Sequence, residues 1–139
     1  MSHVAKVDVE ILNLDWLAQA CQRLGLELLR DQKRFFAFRD RKCDHAIRVA
    51  GLTGQAALDK VSRTYEIGVL ASKDGQPGYS LSFDLFMGGN GLQKRVGDKC
   101  QRLAQAYTAV ATRETARRQG MRVREQQLED GSIRLVLET

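Results

Sequence analysis

Apolar and polar residues alternate at the start of the chain, over residues 3–12. One side of this segment would carry His3, Ala5, Val7, Val9 and Ile11. Such alternation is typical of a half-buried strand. The apolar spacing then becomes helical, with Asn13 placed as an N-cap and Gly25 placed as a stop. This change predicts a short amphipathic helix after the first strand.

Further strands are predicted in the middle of the chain by short runs of β-branched, aromatic and aliphatic residues. They are Leu26–Leu29, Arg34–Phe38, Ala46–Ala50, Tyr65–Ala71 and Tyr79–Phe86. Asp31–Lys33 supplies a turn between the first two, and Asp74-Gly75 predicts a hairpin between the last two. Residues 51–62 are the most loop-like segment.

A long helix is predicted from about Gly91 to Gln119, with Gly120 in the capping position. Its apolar stripe consists of Leu92, Val96, Cys100, Leu103, Tyr107, Val110 and Ala111. The strands Met121–Leu128 and Ser132–Glu138 then form a predicted hairpin around an Asp-Gly turn.

These elements predict one α+β domain over residues 1–139. We expect a mainly antiparallel sheet of about seven or eight strands, with one short and one long helix on one face. Both helices are followed by a glycine and then by two strands, and this repetition predicts a duplicated βαββ arrangement.

The composition fits a protein that folds around its own core. The chain has 139 residues, of which 43% are hydrophobic, and this is enough for a core without disulfides or a structural metal. It contains no apolar run of about 18 residues and no apolar signal segment at its start. We therefore expect no membrane partner and a cytoplasmic protein.

The three cysteines are too few and too far apart for a disulfide framework or a zinc site. Cys21 and Cys100 fall on the apolar stripes of their helices, which predicts core packing. Cys43 precedes Asp44 and His45, so it is either a thiolate beside a base or a cysteine near a histidine by chance. A metal would need two more ligands, and His3 is the only other histidine. The sequence predicts no catalytic residues, no metal and no cofactor.

Positive charge offers the candidate binding residues, since the net charge is +5. The first group surrounds a Phe cluster at the end of a strand and includes a predicted basic loop, Arg39–Lys42. The second group falls within roughly a 60° arc of the long helix, at about 100° per residue. The candidate contacts to an anion or a nucleic acid are Lys33, Arg34, Arg39, Arg41, Lys42, Arg95, Lys99, Arg102, Arg113 and Arg117.

Each of these patterns has a structural alternative. The helix group is either a binding ridge or a solvated face, and Glu114 is spaced to pair with Arg117. Part of the Phe cluster belongs to the core, and the remainder resembles the stacking surfaces of proteins that bind single strands. The segment Gly88–Gly91 is either a turn that needs glycine dihedrals or the start of a helix that holds an anion.

The chain also resembles a known family. Three blocks carry the likeness: MSHVAKVDVEILNLDWLAQACQRLGLEL, YEIGV with its following DG turn, and AYTAVATRETARRQGMRVREQQLEDGSIRLVLE. They are similar to the hypothetical chloroplast reading frame thirty-five family, also called domain of unknown function twelve fifty-seven. The middle segment SFDLFMGG departs from that pattern, because the family has a tryptophan-containing segment there.

The resemblance implies a protein of cyanobacteria, plastids, other bacteria or their phages, and therefore a location in the plastid stroma if the host is an alga. It also implies a protein partner, an AAA-type ATPase being the candidate, and it transfers no catalytic residues. The sequence therefore predicts a non-enzymatic binding module, and the alternative is a nucleic-acid-binding protein.

Overall fold

The computed structural model describes residues 4–51, 63–73, 75–129 and 133–138, in which a run of strands separates a first helix from the helices of the second half. The strands are β1 (Val4–Ile11), β2 (Leu26–Leu29), β3 (Arg34–Ala37), β4 (Arg39–Lys42), β5 (His45–Val49), β6 (Ile67–Ala71), β7 (Tyr79–Asp84), β8 (Arg122–Gln127) and β9 (Ile133–Glu138). The helices are α1 (Leu14–Arg23), α2 (Leu92–Val96) and α3 (Gln101–Arg118), and a 3₁₀ helix spans Phe86–Gly91. The predicted α+β class is confirmed.

The central sheet has five strands in the order β1-β7-β6-β5-β2, and every neighbouring pair is antiparallel. The predicted hairpins β6–β7 and β8–β9 are confirmed. Residues 52–62 of the predicted loop, Asp74 of the first Asp-Gly turn and the whole second Asp-Gly turn lie outside the described residues. In the described residues β8 and β9 pair only with each other. The second half therefore repeats the order helix, glycine, strand, strand. In a full duplication these two strands would also join the central sheet, and in the described residues they do not.

The strand after β2 does not pair with it. β2 pairs with β5, and the residues between them form a separate hairpin of β3 and β4. The predicted basic loop Arg39–Lys42 is thus a strand, which is a correction to the sequence analysis. The physical reason is that Phe35 and Phe36 are both buried, so this segment must lie against the core instead of extending the sheet edge.

Helix α1 begins as predicted. The Trp16 N–H donates to Asn13 Oδ1 at 3.1 Å, and Leu17, Ala20 and Cys21 are buried. The Tyr107 hydroxyl accepts from the N–H groups that precede the helix, those of Leu12 and Asn13, at 3.0 and 3.1 Å. This side chain therefore fixes the start of α1 to α3.

The long helix is broken, and this corrects the prediction of one continuous helix. α2 ends at Val96, and α3 begins after Cys100, whose φ is +60°. Gly97 has a φ of +92°, and a Cβ at this position would lie 2.6 Å from the Gln101 side chain. The break is therefore specified by Gly97, the only glycine inside the predicted helix. The predicted end is confirmed, since α3 stops at Arg118 and Gly120 has a positive φ.

Both faces of the central sheet are covered. Ile67 and Val69 point to one face, where they are fully buried in the same cluster as the helix residues Leu103 and Val110. Gly68 points to the other face, and a Cβ there would lie 2.4 Å from the Phe35 ring. The helices thus cover one face, as predicted, and the β3–β4 hairpin covers the opposite face.

The core cysteines are confirmed. Cys21 and Cys100 are fully buried, and burial raises the pKa of each thiol to about 12. In the described ranges, no helix has the length and apolar character needed to cross a membrane.

Candidate nucleic-acid interface

The predicted basic residues lie on opposite sides of the sheet. The β3–β4 hairpin, which covers the Gly68 face, contains Arg34, Arg39, Arg41 and Lys42, and Lys33 directly precedes it. Arg95, Lys99, Arg102, Arg113 and Arg117 belong to the helical layer on the other face. The two groups therefore form separate surfaces.

Phe38 forms the tip of the hairpin. The register pairs Ala37 with Arg39, so that only Phe38 lies between the two strands. Its φ is +70°, and the residue is 73% exposed. Phe35 and Phe36 are 2% and 3% exposed, so the prediction that part of the Phe cluster belongs to the core is confirmed.

The hairpin is anchored by a buried carboxylate. The Phe36 N–H donates to Glu66 Oε1 at 2.7 Å, and the Glu66 N–H donates to the Phe36 carbonyl at 2.6 Å. Arg63 lies over the Phe36 ring at 4.9 Å from its centroid, and its Nη2 is 3.0 Å from Glu66 Oε2. Glu66 is only 2% exposed, so its charge is held by Arg63 and by one backbone N–H. The sequence pattern predicted a strand at Tyr65–Ala71 but not this role of Glu66.

Three cations of the hairpin remain available to a ligand. Arg34, Arg39 and Lys42 are exposed, and no described acidic group lies within ion-pair distance of their side chains. Arg41 instead turns inward, where its Nε donates to the Ala37 carbonyl at 3.1 Å and its Nη2 lies 3.9 Å from Asp84 Oδ2. The inward position of Arg41 makes it a structural residue.

Lys33 is partly neutralised. Its Nζ lies 3.8 Å from Asp31 Oδ1 and donates to the Asp44 carbonyl at 3.5 Å. Lys33 therefore contributes less field at the hairpin surface than an unpaired lysine would.

The Cys43 thiol does not have the properties of a nucleophile. It donates to the Gln32 carbonyl at 3.1 Å. Burial, and then the charges of Asp44 and Glu66, raise its pKa to about 11. A thiol with this pKa is almost entirely protonated at neutral pH, and the thiol form is a weak nucleophile.

His45 is engaged in a different contact. Its Nδ1 accepts from the Asp31 N–H at 2.9 Å, and its ring meets the Tyr79 ring edge-on, with the centroids 5.7 Å apart. Among the described side chains no three of His, Cys, Asp and Glu are grouped as a metal site. His3 lies outside the described residues.

The helix group is divided by the break between α2 and α3. Arg95 Nη1 donates to the Leu24 carbonyl at 3.3 Å, and Arg102 Nη1 donates to the Lys94 carbonyl at 3.4 Å. Lys99 lies in the break and is exposed. The five cations therefore do not form one straight ridge.

The two remaining helix cations have acidic neighbours. Arg117 lies 3.6 Å from Glu114, which confirms the predicted intrahelical pair. Arg113 lies 4.0 Å from Glu125 of β8, and the same Glu125 oxygen is 2.6 Å from Arg23 of α1. Arg23 and Glu125 were not predicted as site residues, because they come from distant parts of the sequence.

The glycine-rich segment before α2 is a turn. Gly88, Gly89, Asn90 and Gly91 all have positive φ values, and they are the last four residues of the 3₁₀ helix that leads into α2. The interpretation that this segment needs glycine dihedrals is confirmed.

No family model matches the chain, and comparisons with curated proteins and with solved structures find no match either. The evidence for function therefore lies in the site itself.

Proposed function

We propose that the protein is a non-enzymatic binding module, and that its β3–β4 hairpin binds single-stranded nucleic acid. The observation that carries the proposal is Phe38, an exposed aromatic residue in a left-handed conformation at the tip of a basic hairpin.

The conformation of Phe38 has a cost, because the chain turns from Ala37 to Arg39 through this one residue at positive φ. A residue other than glycine in the left-handed region is less stable by about 1–2 kcal/mol. The exposed ring gains little from burial in return. A strained residue that offers its side chain to solvent is typical of a binding position.

The surroundings of Phe38 fit a nucleic-acid strand. Bases of any sequence stack on an aromatic ring, and nearby cations attract the phosphates between the bases. Arg39 follows Phe38 directly, and Arg34 and Lys42 face each other across the hairpin. One stacking ring and three available cations suit a contact of two or three nucleotides.

The hairpin also offers a fixed platform. Phe35 packs against Gly68, and the Phe36 backbone is held from both sides by Glu66. A ligand that binds the tip therefore does not have to order the hairpin first, which reduces the entropic cost of binding.

The non-enzymatic part of the proposal is supported by Cys43. Its raised pKa and its hydrogen bond to Gln32 argue against the candidate nucleophile. His45, the candidate base, instead accepts a backbone hydrogen bond from Asp31.

Fluorescence anisotropy with a labelled 15-nucleotide single strand, in DNA and RNA versions, tests the binding proposal. At about 50 mM salt we expect Phe38→Leu to weaken binding by roughly 5-fold or more, since stacking contributes about 1–3 kcal/mol per base. Phe38→Trp should preserve binding because it keeps a stacking ring. The leucine variant separates stacking from simple apolar contact.

Charge is tested with a matched pair of variants. Arg39→Gln should weaken binding and make its salt dependence less steep by about 0.7 in log–log slope. Arg117→Gln removes the same charge from the opposite side of the sheet and should have little effect. No binding by the wild-type protein, or equal losses in the two variants, would contradict the proposal.

The protein partner expected from the sequence is tested with the same variants. One outcome would favour a protein-binding module over the hairpin proposal. In that outcome, wild type and Phe38→Leu capture the same protein in stoichiometric amount, and neither binds nucleic acid.

A further inference from the structure

A polar cleft of about 740 Å³ lies between α1, α3 and β8, on the side of the sheet away from the hairpin. Arg23, Arg102 and Arg113 line it, together with the amide side chains of Gln105 and Gln127. Its volume is that of a small-molecule site, but most such sites are lined mainly by apolar groups. Here six of the eight lining residues are polar or charged.

The charge in the cleft is not balanced. Three guanidinium groups face one carboxylate, that of Glu125. A single Glu125 oxygen is shared, at 2.6 Å from Arg23 Nη2 and at 4.0 Å from Arg113 Nη1. Arg102 has no described carboxylate within ion-pair distance and donates only to the Lys94 carbonyl, at 3.4 Å. The cleft therefore holds an excess of two positive charges.

We propose that this cleft binds a polyphosphate ligand of nucleotide size. Arginine presents several N–H donors in a planar fork that suits phosphate oxygens. Arg23 and Arg113 would contact one end of the phosphate chain, and Arg102 would contact the other.

The spacing of the arginines favours an elongated anion. Arg102 and Arg113 are eleven residues apart on one helix, so their Cα atoms are separated by about 16 Å along its axis. A single phosphate cannot contact both side chains well. A triphosphate chain is long enough to lie between them, and the two glutamine amides can donate to it along the way.

Glu125 occupies the place of an anionic ligand. Its carboxylate neutralises Arg23 and weakens the field of Arg113, so a bound polyphosphate must compete with it. The removal of this negative charge should therefore strengthen ligand binding. An ion pair with a purely structural role would not show such a gain.

Isothermal titration calorimetry with tripolyphosphate, adenosine triphosphate and inorganic phosphate tests the proposal. We expect the first two to bind at least tenfold more tightly than inorganic phosphate. Stronger binding of adenosine triphosphate than of tripolyphosphate would assign a contact to the nucleoside, and equal binding would assign the site to the phosphate chain. Equal affinity for inorganic phosphate and tripolyphosphate would overturn the proposal.

The variants make the test specific. Glu125→Gln should tighten tripolyphosphate binding by roughly threefold to fivefold. Arg102→Gln should weaken it by about tenfold, because a hydrogen bond to a charged group is lost. Arg117→Gln is the control, since it removes one charge from α3 outside the cleft. Failure of Glu125→Gln to tighten binding, or an equal loss in the Arg117 variant, would overturn the proposal.

The hairpin proposal can fail independently. Phe38→Leu should leave tripolyphosphate affinity unchanged, because Phe38 lies on the other side of the sheet. Thermal unfolding of each variant, measured without ligand, separates a loss of binding from a loss of folding.

Discussion

Replacement of Phe38 by glycine and, separately, by alanine isolates the cost of its left-handed backbone. Both variants lose the ring, so the partial burial of the ring cancels in the comparison. Alanine keeps the strain of about 1–2 kcal/mol at a φ of +70°, whereas glycine does not. Glycine also loses about 0.5–1 kcal/mol of conformational entropy on folding. The difference between these two contributions makes the glycine variant more stable than the alanine variant by about 0–1.5 kcal/mol.

The comparison is made by urea denaturation and by thermal unfolding. For a chain of 139 residues, 1 kcal/mol corresponds to a shift in Tm of about 3 °C. Both variants should bind a single strand equally weakly, although they differ in stability. If the alanine variant is more stable than the glycine variant by about 0.5–1 kcal/mol, which is the entropy difference alone, Phe38 is not strained and the main support for the hairpin proposal is lost. If the glycine variant binds as well as wild type, the ring does not stack on bases.

Three further predictions concern the side of the sheet beneath the hairpin. Gly68→Val should destabilise the protein by about 2–3 kcal/mol in urea unfolding, because its Cβ would meet the Phe35 ring at 2.4 Å. Ala71→Val, at an exposed position of the same strand, is the control and should change stability little. Glu66→Ala should cost about 3 kcal/mol in the same assay, because it leaves the Arg63 charge without its partner; a change below 1 kcal/mol would contradict the anchoring role. Cys43 should react with iodoacetamide at pH 8 about a hundredfold more slowly than a free thiol, because its pKa is raised from 9.0 to about 11. A reaction rate equal to that of the urea-unfolded protein would contradict this prediction.

Local patterns in the sequence predicted the elements well. The N-cap at Asn13, the hairpins β6–β7 and β8–β9 and the end of α3 near Gly120 all depend on residues close together in the chain. For such features the sequence contains most of the physical information, because the interactions that decide them are themselves local.

Strand pairing was harder to predict, because it depends on distant residues. Leu26–Leu29 and Arg34–Ala37 follow each other with a turn between them, yet β2 pairs with β5. The burial of both Phe35 and Phe36 decides the outcome, and a simple alternating pattern would bury only one of them. Two adjacent buried aromatics are a signal of a segment enclosed on both sides.

The candidate site was predicted only in part, because it too depends on residues that are distant in the sequence. The basic character of the hairpin is visible in the sequence, but the inward turn of Arg41 depends on Asp84, which is 43 positions away. The cleft combines Arg23 with Arg102 and Arg113 only because α1 packs against α3. Helical spacing therefore identified Arg102 and Arg113 and missed Arg23, which α1 supplies.

The placement of the two basic surfaces limits what either one can bind. The hairpin and the cleft lie on opposite sides of a sheet whose inward residues are fully buried, so a short single strand cannot contact both at once. The hairpin by itself offers Arg34, Arg39 and Lys42, and this predicts a salt dependence of about two released counterions. A much steeper dependence would require the strand to wrap around the sheet edge and engage the cleft, and saturating tripolyphosphate would then displace it. With separate surfaces, tripolyphosphate leaves strand binding unchanged.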